Sequence, residues 1–299
     1  MELADALPAG GNRTGTGRIR LDALDGQYHL YLQWHWQQDA VCQIKDSSVT
    51  TPSVSDGIEV VSGSRHIRFA DSAVEAVCVA NWSSDGTGLS YDDAAAVTDI
   101  GTVFKGSDIR SFDEFRYFTG VTVLQNDAFR NCTGLSSIML PPSLATIMNY
   151  VFSNCRELAS IVIPDTVTVI LNYSFDGCRG LVSCNIPDGI TTVGECLFRG
   201  CGTLSSISIP ASVTLIGKNA FYGCAGLRAM TVRGRVAPEL RGATVSSAEG
   251  TGSFVGWNTH GAASNKLYVP TGAYGYDTGL WADPLQHEEK CGFMISYSL

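Results

Sequence analysis

The chain has 299 residues, 44% of them hydrophobic and 16% charged, with 32 glycines and 10 cysteines. Its 20 basic and 29 acidic residues leave a formal charge of −9, which argues against a nucleic-acid backbone or an anionic membrane as the main partner. No apolar run approaches the roughly 20 residues that span a bilayer. Met1–Gly11 lacks the basic start and apolar stretch of a signal peptide.

In chain order, residues 1–60 predict a small β module and linker. Leu30, Leu32, Trp34 and Trp36 alternate with His29, Tyr31, Gln33 and His35, the pattern of a half-buried strand. Arg18–Leu21 is expected to pair with it across an Asp25-Gly26 turn, and the Ser/Thr/Pro-rich stretch Ser47–Ser55 reads as a linker. A hairpin alone is marginal, so docking or oligomerisation through this module is expected.

Residues 61–118 predict a helical N-terminal cap. Ser72-Ala-Val-Glu75 has capping-box spacing and opens a helix with Val74, Val77, Cys78 and Trp82 on its apolar face. Ser90-Tyr-Asp-Asp93 opens a short helix through Ala94–Val97, and Ser111-Phe-Asp-Glu114 a further one. Phe112, Phe115, Val121 and Leu124 are expected in the columns of Leu135, Ile138, Leu144 and Ile147. The loop from Ser83 to Asp93 has a worn calcium-loop frame in Ser83, Asp85, Thr87 and Gly88. One residue is missing before Leu89, and Asp93 replaces the longer glutamate. It reads as a Gly-rich turn, with weak calcium binding the minor alternative.

Residues 119–234 carry the repeats. Cys132, Cys155, Cys178, Cys201 and Cys224 follow one another at a constant step of twenty-three, and Phe129 to Phe221 and Leu135 to Leu227 keep the same step. A fixed period of this length signals a solenoid whose units bury their apolar faces against their neighbours. Within a unit, Ala220–Cys224 reads as a short helical turn. Leu204–Pro210 alternates as a strand stopped by proline, and Ser212–Gly217 adds two inward residues around a bend. One parallel strand per unit, about 4.8 Å from the next, makes five units a stack of about 25 Å, whose ends need covering. Downstream, residues 235–299 read as an inserted loop (235–264), a last strand at Lys266-Leu-Tyr-Val-Pro270 and a C-terminal cap from Gly272.

The pattern Phe-x-x-Cys-x-x-Leu-x-x-Ile-x-Ile-Pro resembles the BspA-like leucine-rich repeat over about residues 112–234. That family is found largely in bacterial surface and secreted proteins, some ending in a similar Tyr-Val-Pro segment. The resemblance implies an α/β solenoid: a short leucine-rich-repeat stack with a parallel sheet, a helical N-terminal cap and a C-terminal cap, preceded by the small β module. It implies adhesion or protein binding and carries over no catalytic residues.

Chemistry is sparse. The cysteine column reads as a buried ladder, since parallel side chains rarely meet disulfide geometry. Cys184 falls in a core column, and Cys196 is the thiol expected to be exposed. Zinc through Cys196 and Cys201 lacks further ligands, there being no CxxC pair. GxSxG, HExxH and GxxxxGK[ST] are absent, and His29, His35, His66, His260 and His287 are scattered. No enzyme, metal or cofactor is expected.

What remains is surface. Outward strand positions are Ser137, Met139, Ser160, Val162, Ser183, Asn185, Ser206, Ser208, Ala229 and Thr231, a face without the aromatic or Arg anchors of most interfaces. Met148-Asn-Tyr150 and Leu171-Asn-Tyr173 share columns in adjacent repeats and predict an exposed amphipathic contact patch. The expected function is non-enzymatic binding of a protein or glycan on a cell surface, with no nucleic acid and no membrane insertion. The expected location is the cell surface or secretion if a leader was removed. The alternative is a virion-associated structural component of a bacteriophage, anchored by the β module.

Overall fold

The computed structural model describes residues 66–241 and 266–276 in full, and the backbone of strands at 18–24, 27–33, 40–43 and 294–298. Trp34, Trp36, the Ser47–Ser55 linker, residues 242–265, His260 and His287 lie outside the described residues. The chain divides into two compact units, Met1–Arg65 and His66–Leu299. In the first, β1 (Arg18–Leu24) pairs antiparallel with β2 (Gln27–Gln33), Leu21 opposite Leu30. β3 (Ala40–Gln43) adds antiparallel to β2.

The second unit opens with two helices, α1 (Ser72–Trp82) and α2 (Tyr91–Ala96). The N-cap of α1 is Asp71 rather than Ser72, because the Asp71 carboxylate accepts the Ala73 N–H at 2.9 Å. Val74 and Cys78 are buried, and Trp82 packs on Phe104 and Phe118 with ring centroids 6.2 and 5.7 Å away. α2 has the reciprocal capping box: Ser90 Oγ accepts the Asp93 N–H, and Asp93 Oδ2 accepts the Ser90 N–H. The helix expected from Ser111 is instead a 3₁₀ turn at Asp113–Tyr117 without a side-chain cap.

From there the chain winds as a parallel-sheet solenoid of about six turns. Each turn contributes two short strands, not the single one expected. The first ladder comprises β4 (Ser111–Phe112), β6 (Ser137–Ile138), β8 (Ser160–Ile161), β10 (Ser183–Cys184), β12 (Ser206–Ile209) and β14 (Ala229–Val232). It ends in β16 (Lys266–Pro270) and β17 (Met294–Ser298). The second comprises β5 (Val123–Leu124), β7 (Thr146–Ile147), β9 (Val169–Ile170), β11 (Thr192–Val193), β13 (Leu215–Ile216) and β15 (Glu239–Leu240). β15 lies within the segment read as an inserted loop: Glu239 pairs with Leu215, and Leu240 is buried. The segment therefore completes one more rung before residue 242.

The first rung is three residues longer than the regular step of the cysteine repeats, Ser111 pairing with Ser137 where Ser160 pairs with Ser183. Leu124 pairs with Ile147 at the regular step of the repeat, whereas Phe112 pairs with Ile138 and so overshoots that step. The extra residues are taken up around the 3₁₀ turn, so Phe112 sits opposite Ile138 rather than Leu135 and Phe115 does not take the place opposite Ile138, while Leu124 does sit opposite Ile147.

On the third side the backbone N–H groups of the Phe column reach forward, as Phe152 N to Ser174 O (2.8 Å) and Phe175 N to Leu197 O (3.0 Å). The rings of Phe104, Phe129, Phe152, Phe175, Phe198 and Phe221 stack with centroids 5.4–5.6 Å apart and planes within 20°. Rungs spaced like strands impose this near-parallel offset stack, a favourable aromatic geometry.

Candidate interaction surface

The cysteine column belongs to the interior. Each thiol donates to the Phe carbonyl of the preceding rung: Cys132 to Phe104, Cys155 to Phe129, Cys178 to Phe152, Cys201 to Phe175 and Cys224 to Phe198, at 2.9–3.2 Å. A small, weakly polar donor suits a buried site that offers it one backbone carbonyl, joined at Cys132 by the Ser107 hydroxyl at 3.6 Å. Burial pushes these thiols up, Cys224 to about 12, so they are poor nucleophiles. Cys184 is half-buried, and burial raises its thiol to about 12. Cys196, expected to be exposed, is 1% accessible. Among the described residues no three His, Cys, Asp or Glu side chains cluster as a metal site.

The loop after α1 turns its carboxylates inward on itself. Asp85 Oδ1 accepts the Thr87 N–H and Oγ–H, both at 2.8 Å, and Asp85 Oδ2 meets His66 Nε2 at 3.2 Å. These donors, led by the Thr87 N–H, hold the Asp85 carboxyl well below the usual range. Asp93 serves the Ser84 and Ser90 N–H groups. The oxygens that a calcium loop would converge on a cation instead bond the loop's own donors.

The tyrosine patch is built differently from the exposed pair expected. Tyr150 and Tyr173 are half-buried, stacked 4.7 Å apart with planes at 15°. Arg130, from the rung before, lies over the Tyr150 ring at 4.8 Å, and Arg199, from the rung after, over Tyr173 at 5.4 Å. The result is a four-layer stack, guanidinium, phenol, phenol, guanidinium, in which both outer ring faces are covered. Asp127 pairs with Arg130, and Asp176 holds Arg199 by two bonds of 2.7 Å. Both tyrosines have left-handed backbones, φ 60° and 62°, at about 1–2 kcal/mol each, which the stack helps offset. Burial, then Cys196 and Glu195, push the Tyr173 hydroxyl up, and it donates to Glu195 Oε1 at 3.3 Å. Met148 and Leu171 are half-buried beside the pair. The asparagines between them carry a ladder of their own: Asn126 Oδ1 accepts the Asn149 N–H, Asn149 Oδ1 the Asn172 N–H, and Asn172 Oδ1 the Glu195 N–H.

The outer face of the first ladder stands open. Val162 is 77% exposed and Met139 46%, with Ser160, Ser183, Ser206 and Ser208 exposed around them. Ser137 is bonded to Asp113, and Thr231 and Ala229 are half-buried. Asn185 is exposed as a residue, yet its amide is engaged, accepting the Ile163 N–H at 2.7 Å and donating to the Ile163 carbonyl at 2.8 Å. It acts as a backbone substitute between two rungs. At one end of the face the 3₁₀ turn supplies the anchor types that the strands lack. Arg116 bonds the Tyr117 hydroxyl (2.7 Å) and the Met139 sulfur (3.3 Å), and Tyr91 meets Tyr117 edge-on at 4.9 Å. Arg116 and Tyr117 escape a reading by columns because, among the described residues, the 3₁₀ turn that presents them stands in one rung only, and Tyr91 escapes it because it lies on α2, outside the repeats.

The BspA type leucine rich repeat region, as a family model, matches residues 101–228 in 6 copies, one more than the cysteine column reveals, the first rung having Phe104 and no column cysteine. No curated protein matches the chain. Among solved structures it is similar to the T. pallidum leucine rich repeat protein, with 32% identity over 38% of this chain and 56% of that one and a TM-score of 0.37. It is also similar to a leucine rich cell surface protein from Faecalibacterium prausnitzii, with 25% identity over 48% of each chain and a TM-score of 0.35. A third is a leucine-rich repeat protein from Bacteroides ovatus, with 24% identity over 60% of this chain and 50% of that one and a TM-score of 0.35. The chain spans about half the length of these proteins. No described helix is long and apolar enough to cross a membrane. The six copies that match the BspA type leucine rich repeat family model, residues 101–228, coincide with the rungs of the solenoid.

Proposed function

We propose that this is a non-enzymatic binding protein that presents the outer face of the first ladder to a protein partner at a cell surface. The observation that carries the reading is Val162, 77% exposed beside Met139 on a stack whose rungs are bonded to one another. Apolar patches rimmed by polar residues mark contact sites, and a preformed face loses little conformational freedom on binding. Arg116 and Tyr117 supply the anchor types enriched at interfaces. A protein is favoured over a glycan because the one pair of stacked tyrosines in the repeats described above, Tyr150 and Tyr173, has the faces on which a sugar ring would stack covered by Arg130 and Arg199. In this reading α1 and α2 cap the stack, and the sheet of β1, β2 and β3 is the element for self-association.

The test is a protein and glycan array probed with the full chain, followed by Val162→Asp, which leaves the core untouched. Protein ligands should bind, and Val162→Asp should weaken them at least about tenfold, as for a central contact. Ligands indifferent to Val162→Asp but lost with Tyr150→Ala and Tyr173→Ala would move the site to the tyrosine stack. An array that returns only glycans would refute the protein reading.

A further inference from the structure

The repeat region departs from the acidity of the whole chain. Residues 101–241 contain twelve Lys and Arg against ten Asp and Glu, in a chain of net charge −9. Several of those cations are ion-paired locally: Lys105 and Arg130 share Asp127, Arg199 meets Asp176 and Arg233 meets Asp188. Arg156 and Arg179 are not. Both are exposed, they occupy the same place in successive rungs, and neither has an ion-pair partner among the described residues. The Gly180 N–H donates to the Arg156 carbonyl at 2.9 Å, tying the two turns together, and a Cβ on Gly180 would come within 2.5 Å of that carbonyl oxygen. Two like charges are thus carried on rungs about 4.8 Å apart, an arrangement that an opposite charge relieves. In the strands that follow these two turns Val182 is 48% exposed and, three strand positions further along, Val162 77%, with Ser160 and Ser183 exposed between them.

We infer that this patch receives an acidic segment of the protein partner, carboxylates on Arg156 and Arg179 and, further along the same segment, aliphatic side chains on Val182 and then Val162. The inference rests on the outer-face reading and names the chemistry of what binds there. Charge complementarity selects a short acidic segment over a polymeric anion. The neighbouring rungs hold Thr133 and Gly202 in the arginine column, and Glu157 follows Arg156 in sequence, so the positive strip ends after two rungs. A nucleic acid or sulfated glycan needs a longer track and meets a net-negative chain.

The experiment pans a random peptide library on the full chain and measures the selected peptides by fluorescence anisotropy at low and high salt, with heparin as the polyanion probe. Selected peptides should pair Asp or Glu with a neighbouring Val, Leu or Ile and weaken in high salt. Arg156→Glu with Arg179→Glu should weaken them at least about tenfold, through both encounter and retention, and panning on that variant should return Lys- and Arg-rich peptides. An unchanged melting temperature shows that the variants fold. Peptides with no acidic enrichment, acidic peptides indifferent to the double reversal, or heparin binding more tightly than the peptides at the same arginines would overturn the inference. Ligands lost with Val162→Asp but indifferent to the arginines would leave the outer-face reading standing and sink the acidic one. A selection empty at this face counts against both.

Discussion

Asp71 joins α1 to the open edge of the first ladder, and replacing it tests whether a side chain closes that edge. Along the ladder, N–H groups point to the preceding rung, as Ser136 N to Arg110 O and Arg228 N to Ser205 O, both 2.8 Å. Among the described residues β4 has no rung before it. Instead, Asp71 Oδ2 accepts the Arg110 N–H at 2.5 Å and the Ser111 N–H at 3.3 Å, while Oδ1 caps α1. Burial raises the carboxyl, but the N–H groups of Arg110, Ala73, Ser111 and Val74 together outweigh it and leave it below its ordinary range.

Asp71→Ala therefore removes a helix cap of about 1 kcal/mol. It also leaves two edge amides without acceptors, at about 1–3 kcal/mol each if fully buried. Because Asp71 is half-buried and water replaces part of what is lost, the expected total is about 2–4 kcal/mol. Asp71→Asn keeps one acceptor oxygen and should lose about half as much. The folded pKa lies below the unfolded one, so the charge-dependent part is fully present above about pH 4 and is lost as pH falls through the folded value. Urea unfolding at neutral and acid pH measures this, together with amide exchange at Arg110 and Ser111. In acid the parent should approach Asp71→Asn, which keeps a neutral acceptor, while Asp71→Ala stays below both. A neutral-pH loss no larger than an isolated cap, with both amides still protected, would refute the edge-closing role.

Three further outcomes are expected. Phe175→Ala removes a ring stacked on both Phe152 and Phe198 at 5.5 Å and should destabilise by about 3–5 kcal/mol in urea unfolding; a loss under about 1 kcal/mol would mean that the column is not tightly packed. Gly217→Ala would place a Cβ 2.7 Å from the Glu195 backbone nitrogen, so a loss of about 1–3 kcal/mol is expected, and an unchanged melting temperature would show that the rungs can separate there. Iodoacetamide applied to the native protein near pH 8 should leave Cys78, Cys132, Cys155, Cys178, Cys184, Cys196, Cys201 and Cys224 unmodified by peptide mass spectrometry, because burial raises each thiol; rapid labelling of Cys196 would contradict its burial.

The division between what the sequence discloses and what it conceals follows from how columns form. Cys, Phe and Leu recur at one constant step because each occupies the same interior place in every rung, and one small donor beside a Phe carbonyl tolerates little but cysteine. The second ladder leaves almost no trace, since Thr146-Ile147 and Leu215-Ile216 are too short to alternate and read as a bend. The first rung hides its register because Phe112 and Phe115, one helical turn apart, both fit an apolar column. Pairing of Ser111 with Ser137 chooses between them.

For the surface the limit is of another kind. A column shows which side chains point outward but not what lies over them. Tyr150 and Tyr173 do share a place, yet their faces are closed by Arg130 and Arg199, which stand in a different column and in other rungs. Asn185 points outward and is then claimed by the Ile163 backbone. Val162 has the reverse fate. The corresponding position holds Met139 before it, under Arg116, and Asn185 after it, bent back onto the sheet. Val162 is left between them uncovered by any described residue, 77% exposed. The most exposed apolar residue of the face is thus defined by what its neighbours in the stack do, and the unpaired Arg156 and Arg179 lie on the turns that lead into the same two rungs. That coincidence of exposed aliphatic surface and uncompensated charge is why the partner is sought there, and not at the tyrosines.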